Sequence, residues 1–510
     1  MQEMIKKLAA LQCNHSFSRA GKIFKTKNAE YFYDAGTGKV FQCENYELKL
    51  IKLLLNNEWD EIERLINTNN EYTQACHNIC NLIDKEHILQ IPIYKKFTNE
   101  NKNDDAFLNG NLKQMTLEVT QKCNLRCKYC IYNEDYSQFR SFTMEDMDWD
   151  TAKAALDYAN LYGADDIIIG FYGGEPLLNF KLVKKSIEYC LKNFKNHSEL
   201  YFTMTSNLTM MNEEMAEYFK NVPNMNVVCS LDGPQSIQDQ FRVFSNNVGS
   251  FERTINGLKI LVEKMGEQAE KRVSIHSVLC PPFDENKLEE MKLFFQNLTW
   301  LPKGIGKNIA YVGAGTLKDN KYQADINDPE EKKMEEIDPV KAWAIKELSQ
   351  QGNDFTYAFQ LQHSDLMRMH VRSILNEPAK LLFRNACCTP GIRKMYVAVD
   401  GTVSACERIG NSPSLGNIVT GLDLNKIREK YLQEYDEYSL NKCNECWAMH
   451  LCNNCYALCY DENGLNQQKK DQECVACRKS IENDLIEYYQ LLEDNPVIIQ
   501  ILDSILYGKS

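Results

Sequence analysis

Hydrophobic and polar positions follow three rhythms along the chain. In KIFKTKNAEYFYDAGTGKVFQCE (22–44), short runs of alternating apolar positions are broken by the turn-forming Asp34-Ala35-Gly36-Thr37-Gly38, which predicts a small β-meander. Helical spacing of apolar residues follows over about 46–56, 59–68 and 72–88. A polar stretch, FTNENKNDDAFLNGN (97–111), reads as a linker. From Met115 apolar runs of β type alternate with helical ones: MTLEVT, DDIIIGFYG (165–173), LYFTMTSN (200–207), NVVCSLDG (226–233), VSIHSVL (273–279) and KNIAYVG (307–313). Strands alternating with helices imply an α/β class with a parallel sheet, here a partial (β/α)6 barrel whose chemistry sits at the C-terminal strand ends. A charged helical stretch (about 328–380) leads into a region dense in Cys, Asn and Gly with little hydrophobic periodicity, where metal clusters are expected to replace much of the apolar core. An amphipathic helix, IENDLIEYYQLLED (481–494), closes the pattern. The expected organisation is therefore 1–95, a linker at 96–111, the barrel at 112–327, a helical bridge at 328–380, a cysteine-rich domain at 381–480 and a terminal helix at 481–510.

Composition narrows the class. With 44% hydrophobic and 25% charged residues the 510-residue chain is that of a globular protein. It has no run of about 18 apolar residues, so no membrane partner is expected. The first residues, MQEMIKKLAALQCNHSF, read as a short helix and not as a signal peptide. A net charge of −13 argues against a nucleic-acid partner, which needs clustered positive charge. Twenty cysteines without an export signal point to a cytoplasmic protein with metal or redox chemistry and not to a disulfide framework. Three lie at 123–130 and ten between Cys387 and Cys477; the other seven read as small buried hydrophobes.

TQKCNLRCKYCIYN places Cys123, Cys127 and Cys130 directly after the first strand of the α/β region. Three thiolates can hold three corners of a cubane and leave the fourth iron open. Gly173-Gly174-Glu175-Pro176 ends the second strand, and Ser230-Leu231-Asp232-Gly233 ends the fourth, with Arg242 twelve residues past Ser230. In this order the motifs resemble those of the radical S-adenosylmethionine enzymes. The resemblance implies a [4Fe–4S] cluster on the three cysteines whose open iron chelates the methionine moiety of S-adenosylmethionine. One electron then splits the cofactor to a 5′-deoxyadenosyl radical. It further implies that Tyr129 lies beside the adenine, that Gly173, Gly174 and Glu175 bind the methionine ammonium, that Ser230 contacts the ribose and that Arg242 takes the carboxylate.

The later cysteines read Cys388-x12-Gly401-x4-Cys406, then Cys443-x2-Cys446-x5-Cys452-x2-Cys455-x3-Cys459, then Cys474-x2-Cys477. Pairs two apart also fit zinc ribbons in isolation. The whole pattern resembles the SPASM domain of peptide-modifying radical enzymes, which implies two auxiliary [4Fe–4S] clusters, three clusters in all. Cys443, Cys446, Cys452 and Cys474 would bind the outer one; Cys388, Cys406 and Cys455 would bind the inner one. Cys459 is a rival to Cys455, the fourth inner iron is either open to a substrate thiol or closed by Cys387, and Cys477 has no assigned role.

The meander and three helices at 1–95 form a winged-helix-like pattern that resembles the PqqD-like element, which captures the leader of a ribosomally made precursor peptide as an added strand. Together these resemblances imply a maturase that forms a cysteine sulfur-to-carbon thioether crosslink, of sactipeptide or ranthipeptide type, supplied with electrons by a flavodoxin- or ferredoxin-type donor. Glu407, next to Cys406, is the candidate base for the peptide thiol. Carbon–carbon crosslinking, epimerisation, decarboxylation and formylglycine formation are the alternative reactions, and a non-catalytic iron–sulfur sensor or peptide carrier is the alternative of another class.

Overall fold

The computed structural model of the chain describes residues 2–14, 17–98, 111–133, 136, 138–313, 316–317, 338–350, 357–384 and 388–507. Cys387 and most of the expected linker lie outside them. After a helix at Gln2–Asn14, strands β1 (Gly21–Lys25), β2 (Glu30–Asp34) and β3 (Val40–Gln42) form an antiparallel meander. The Asp34 carboxylate closes the turn by accepting from the Thr37 N–H and hydroxyl, both at 2.8 Å. Three helices follow, Asn45–Leu55, Trp59–Thr68 and Asn70–Glu86, and their buried Leu and Ile residues pack under the meander.

Among the described residues the main sheet has ten strands. β4 (Leu112–Thr120), β5 (Gly163–Gly173), β6 (Glu199–Ser206), β7 (Met225–Ser230), β8 (Val273–Leu279) and β9 (Gly306–Tyr311) run parallel in sequence order. Helices lie between them in sequence, and β7 and β8 alternate fully buried with half-buried positions. Helix starts are set by side-chain caps: Asp148 accepts from Thr151 N, Asn212 from Met215 N and Asp284 from Lys287 N.

The cysteine-rich region is not a separate body. Its first strand, β10 (Lys394–Val397), pairs parallel with β4 in the register Met395↔Met115 and Val397↔Leu117. β11 (Thr402–Ser404), β12 (Gly416–Asn417) and β13 (Gly421–Leu422) extend the same sheet antiparallel beyond it. The region also has an aromatic core that periodicity does not announce: Tyr431 stacks on Tyr460 with centroids 4.9 Å apart, and Tyr456 meets Tyr431, Tyr435 and Tyr460 edge-on. A single helix, Gln467–Asp494, runs through position 480 and on past the expected start of the closing helix. It covers the β1 edge of the meander, where Gln490 accepts from Lys27 N at 2.7 Å and Glu493 from Tyr31 Oη at 2.7 Å. No helix among the described residues is long and apolar enough to cross a membrane.

Candidate active site

The C-terminal ends of β4, β5, β6 and β7 build the first site. The segment after β4 is held open by backbone bonds to the segment after β7: Arg126 N donates to Val243 O at 2.7 Å and Lys128 N to Phe241 O at 2.9 Å. Cys130 N closes a turn on Cys127 O at 3.0 Å, and Leu125 N points at Cys123 Sγ at 3.4 Å. Burial pushes all three thiols up, Cys127 to about 12. Metal loading at neutral pH therefore has to displace thiol protons.

The GGEP segment is stitched to this loop. Gly174 N donates to Thr120 O and Glu175 N to Lys122 O, both at 2.8 Å. Gly173 has φ +139°, and a Cβ there would lie 2.1 Å from Thr120 O. A Cβ on Gly174 would lie 2.0 Å from Lys122 O and 3.0 Å from Cys123 N. The glycines are thus required by the fit against the cysteine segment itself, and an approaching ammonium would have to use carbonyl oxygens. Glu175, 1% exposed, accepts from Leu177 N (3.0 Å), Ser206 Oγ (2.7 Å) and Asn207 N (2.8 Å). Its carboxylate ties the end of β5 to the end of β6, which leaves little acceptor capacity for direct contact with a ligand.

Opposite stands a buried polar chain. Arg242 Nη1 donates to Tyr129 Oη at 2.8 Å, and Tyr129 Oη donates to Asp232 Oδ2 at 2.5 Å. Asp232 Oδ1 accepts from Val278 N at 2.9 Å. Burial raises the Asp232 carboxyl, opposed by Arg242 and the Tyr129 hydroxyl. Arg242 Nε is buried and has no hydrogen-bond partner among the described residues. An unpaired donor on a buried guanidinium is the feature a ligand carboxylate would complete. Ser230, half-buried, ends β7 on the same rim. Asp232 stood in the quoted motif without a role; its partnership with Tyr129 is visible only in three dimensions.

Because β10 lies beside β4, the strands that flank the inner cysteines belong to the same sheet as the first site. Cys406 follows β11, and it and Cys388 are close enough to Cys455 for their thiolates to act on one another. Cys459 instead is fully buried and donates to Cys455 O at 3.2 Å. Glu407 is ion-paired with Lys394, at 2.7 Å from Oε2 and 2.9 Å from Oε1, and is not an isolated buried carboxylate. A carboxylate that sequence reasoning passed over, Glu118 on β4, is 1% exposed and takes Arg140 Nε at 2.5 Å, Gln121 Nε2 at 3.0 Å and Val399 N at 3.2 Å. Arg140 in turn lies 3.9 Å over the Tyr132 ring.

The outer cysteines surround a cavity of about 690 Å³. Cys443, Cys446, Cys452 and Cys474 all line it, and so does Cys477, whose sulfur is 3.7 Å from that of Cys452. Among the described residues no three His, Cys, Asp or Glu side chains converge as ligands of a single ion. The outer thiols line a space larger than one ion, into which the buried Lys470 also projects. A thiol-rich wall with a buried cation suits an anionic iron–sulfur group better than a lone divalent metal.

Comparison with known proteins places part of this architecture. Residues 117–295 match the Radical SAM superfamily. The chain is 24% identical over 364 residues to the radical SAM cyclopropyl synthase TigE of Paramaledivibacter caminithermalis, covering 68% of each chain. It is 29% identical over 154 residues to the cysteine-type anaerobic sulfatase-maturating enzyme of Clostridium novyi, covering 30% of this chain and 40% of that enzyme. Several curated relatives are matched over half or less of their own length. Among solved structures, anSMEcpe with bound AdoMet shares the fold at a TM-score of 0.51 and 17% identity, covering 74% of this chain and 98% of that one.

Proposed function

We propose that this radical SAM superfamily enzyme matures a peptide, joining a cysteine sulfur to a carbon of the same substrate. The observation that supports the reading is the pairing of β10 with β4, which joins the segment between Cys388 and Cys406 to the barrel sheet. When bound, the first cluster supplies the electron that splits S-adenosylmethionine into methionine and a 5′-deoxyadenosyl radical. The chain's own residues do the rest of the positioning. Cys123, Cys127 and Cys130 would hold that cluster. Arg242, fixed through Tyr129, would orient the cofactor's carboxylate with its unpaired Nε. Glu175 holds the GGEP segment in place through β6.

The atoms balance simply. One hydrogen atom leaves the acceptor carbon for the adenosyl radical, the thiol proton goes to a base, and one electron is released as the C–S bond forms. In this reading Glu407, next to Cys406, takes the proton, and Lys394 stabilises its charge beforehand. The auxiliary iron–sulfur groups would be held by Cys388, Cys406 and Cys455 on the inner side and by four outer cysteines.

The N-terminal meander is assigned to leader capture. β1 is covered by the helix Gln467–Asp494, whereas β3 is the other outer strand and so the edge to which an extended peptide can add. The module is joined to the outer cysteine segment by Tyr94 N to Asn444 Oδ1 and Asn444 Nδ2 to Tyr94 O, both at 2.8 Å, and by Tyr33 edge-on to Trp447. The names of relatives agree with peptide or protein substrates: one is a sulfatase-maturating enzyme, and a protein of the same fold is seen with AdoMet and a Kp18Cys peptide.

The test is anaerobic reduction of the iron-reconstituted chain with S-adenosylmethionine and a Cys-containing precursor peptide. The expected products are 5′-deoxyadenosine and a peptide lighter by two hydrogens with its thiol blocked. A peptide of unchanged mass, or a new formylglycine, would overturn the thioether assignment; absence of 5′-deoxyadenosine would favour a sensor. Glu407→Gln should still cleave the cofactor while crosslinking falls.

A further inference from the structure

The helix Gln467–Asp494 presents Lys470, Cys474 and Cys477 on one face, at i, i+4 and i+7, and all three line the outer cavity. Lys470 is 2% exposed. Its ammonium donates to Cys474 Sγ at 3.6 Å and lies 4.9 Å from the centroid of the Tyr435 ring. Among the described residues no carboxylate oxygen stands within 4.0 Å of it. The adjacent Asp471 also lines the cavity and pairs with Lys442 at 2.6 Å. The groups whose negative charge acts on Lys470 are led by Cys474, then Cys443, Cys459 and Cys452, and the Asp471 carboxylate acts on it as well.

An ammonium buried without a carboxylate costs several kcal/mol, so the fold keeps it only if something anionic offsets it. The aromatic face of Tyr435 is too weak a partner for that. A [4Fe–4S] group with four thiolates carries a net charge of about −2, and about −3 once reduced. A fixed cation beside it therefore favours the reduced form more than the oxidised one, and a hydrogen bond to a ligand sulfur acts in the same direction.

We propose that Lys470 is the built-in countercharge of the outer cysteine site, donating to the Cys474 thiolate and raising the reduction potential of the iron–sulfur group held there. This rests on the reading that the outer cavity holds such a group. The single electron released by C–S bond formation would pass through such a group to the oxidised form of an external one-electron carrier. Lys470 is a positioning residue, since it acts through Cys474.

The experiment uses the full chain, reconstituted anaerobically with iron and sulfide. Iron per chain in wild type is compared with Cys443→Ala/Cys446→Ala; equal iron would defeat the cluster reading whatever Lys470 does. Potentiometric titration by electron paramagnetic resonance is then run on wild type, Lys470→Arg and Lys470→Met. The expected result is that Lys470→Arg titrates with wild type, while Lys470→Met shifts the reduced-to-oxidised ratio at a given potential at least tenfold towards oxidised, about 59 mV for a one-electron couple. If Lys470→Met loses the outer irons and Lys470→Arg keeps them, the countercharge role is supported by occupancy. Lys470→Met titrating with wild type, or equal loss of iron in both variants, would overturn it.

Discussion

Gly174→Ala tests the most tightly dimensioned part of the molecule. The added Cβ would meet Lys122 O at 2.0 Å, Lys122 C at 2.4 Å and Cys123 N at 3.0 Å, all backbone atoms. Ordinary contact begins near 3.4 Å, so the two segments must part by about 1.4 Å at the closest point. That displacement breaks Gly174 N to Thr120 O and Glu175 N to Lys122 O, two bonds of 2.8 Å worth about 1 kcal/mol each. A loss of about 2–4 kcal/mol of stability follows once the strain is included. The larger effect is on geometry, because Cys123 moves with Lys122. A shift of about 1 Å in a positioned reacting group commonly costs about 100-fold in rate. Three measurements check this: thermal unfolding, iron per chain after reconstitution, and the rate of 5′-deoxyadenosine formation. Gly306→Ala is the control, since its Cβ would meet only Ser274 Cβ at 4.0 Å. Wild-type iron content and cleavage rate in Gly174→Ala would refute the argument that the GGEP segment gauges the position of the first cysteine.

Other outcomes follow from the same geometry. Tyr129→Phe removes the hydroxyl between Arg242 and Asp232, 8% and 1% exposed, and should cost about 3 kcal/mol in chemical denaturation and weaken S-adenosylmethionine binding measured by equilibrium dialysis. Cys455→Ala should lower iron per chain after reconstitution, whereas Cys459→Ala, whose thiol bonds a backbone carbonyl, should leave iron intact and cost about 1 kcal/mol in thermal unfolding. Glu487 is fully buried and, despite Lys341 at 2.8 Å, burial pushes its carboxyl from 4.5 up to about 8. A raised folded-state pKa means stability present below the unfolded value and lost as pH rises through the folded one. Urea titrations should therefore show a decline from about pH 5 to 8 that Glu487→Gln flattens; an unchanged slope would remove Glu487 as its source.

What the sequence determined by itself was local. The spacing of Cys123, Cys127 and Cys130 after an apolar run, the alternation of strands and helices from Met115, and the meander with its Asp34-to-Gly38 turn all follow from short-range periodicity and turn chemistry, and the elements appear within a few residues of their expected places. The motif residues Gly173, Gly174, Glu175 and Ser230 sit on one rim because each ends a strand of the same sheet or follows one closely, and the helix Gln235–Phe241 returns Arg242 to them. Only the tertiary structure decided which edge the cysteine-rich region would join. β10 lies beside β4 through contacts such as Val399 N to Glu118, 281 residues apart, and Tyr94 meets Asn444 across 350. It also decided roles that spacing leaves open: Glu175 braced by β6, Asp232 held by Tyr129, Cys477 and Lys470 turned into the outer cavity. The physical reason is that a motif records which residues are available along the chain, whereas burial, charge compensation and thiol orientation depend on packing between segments that no local pattern relates.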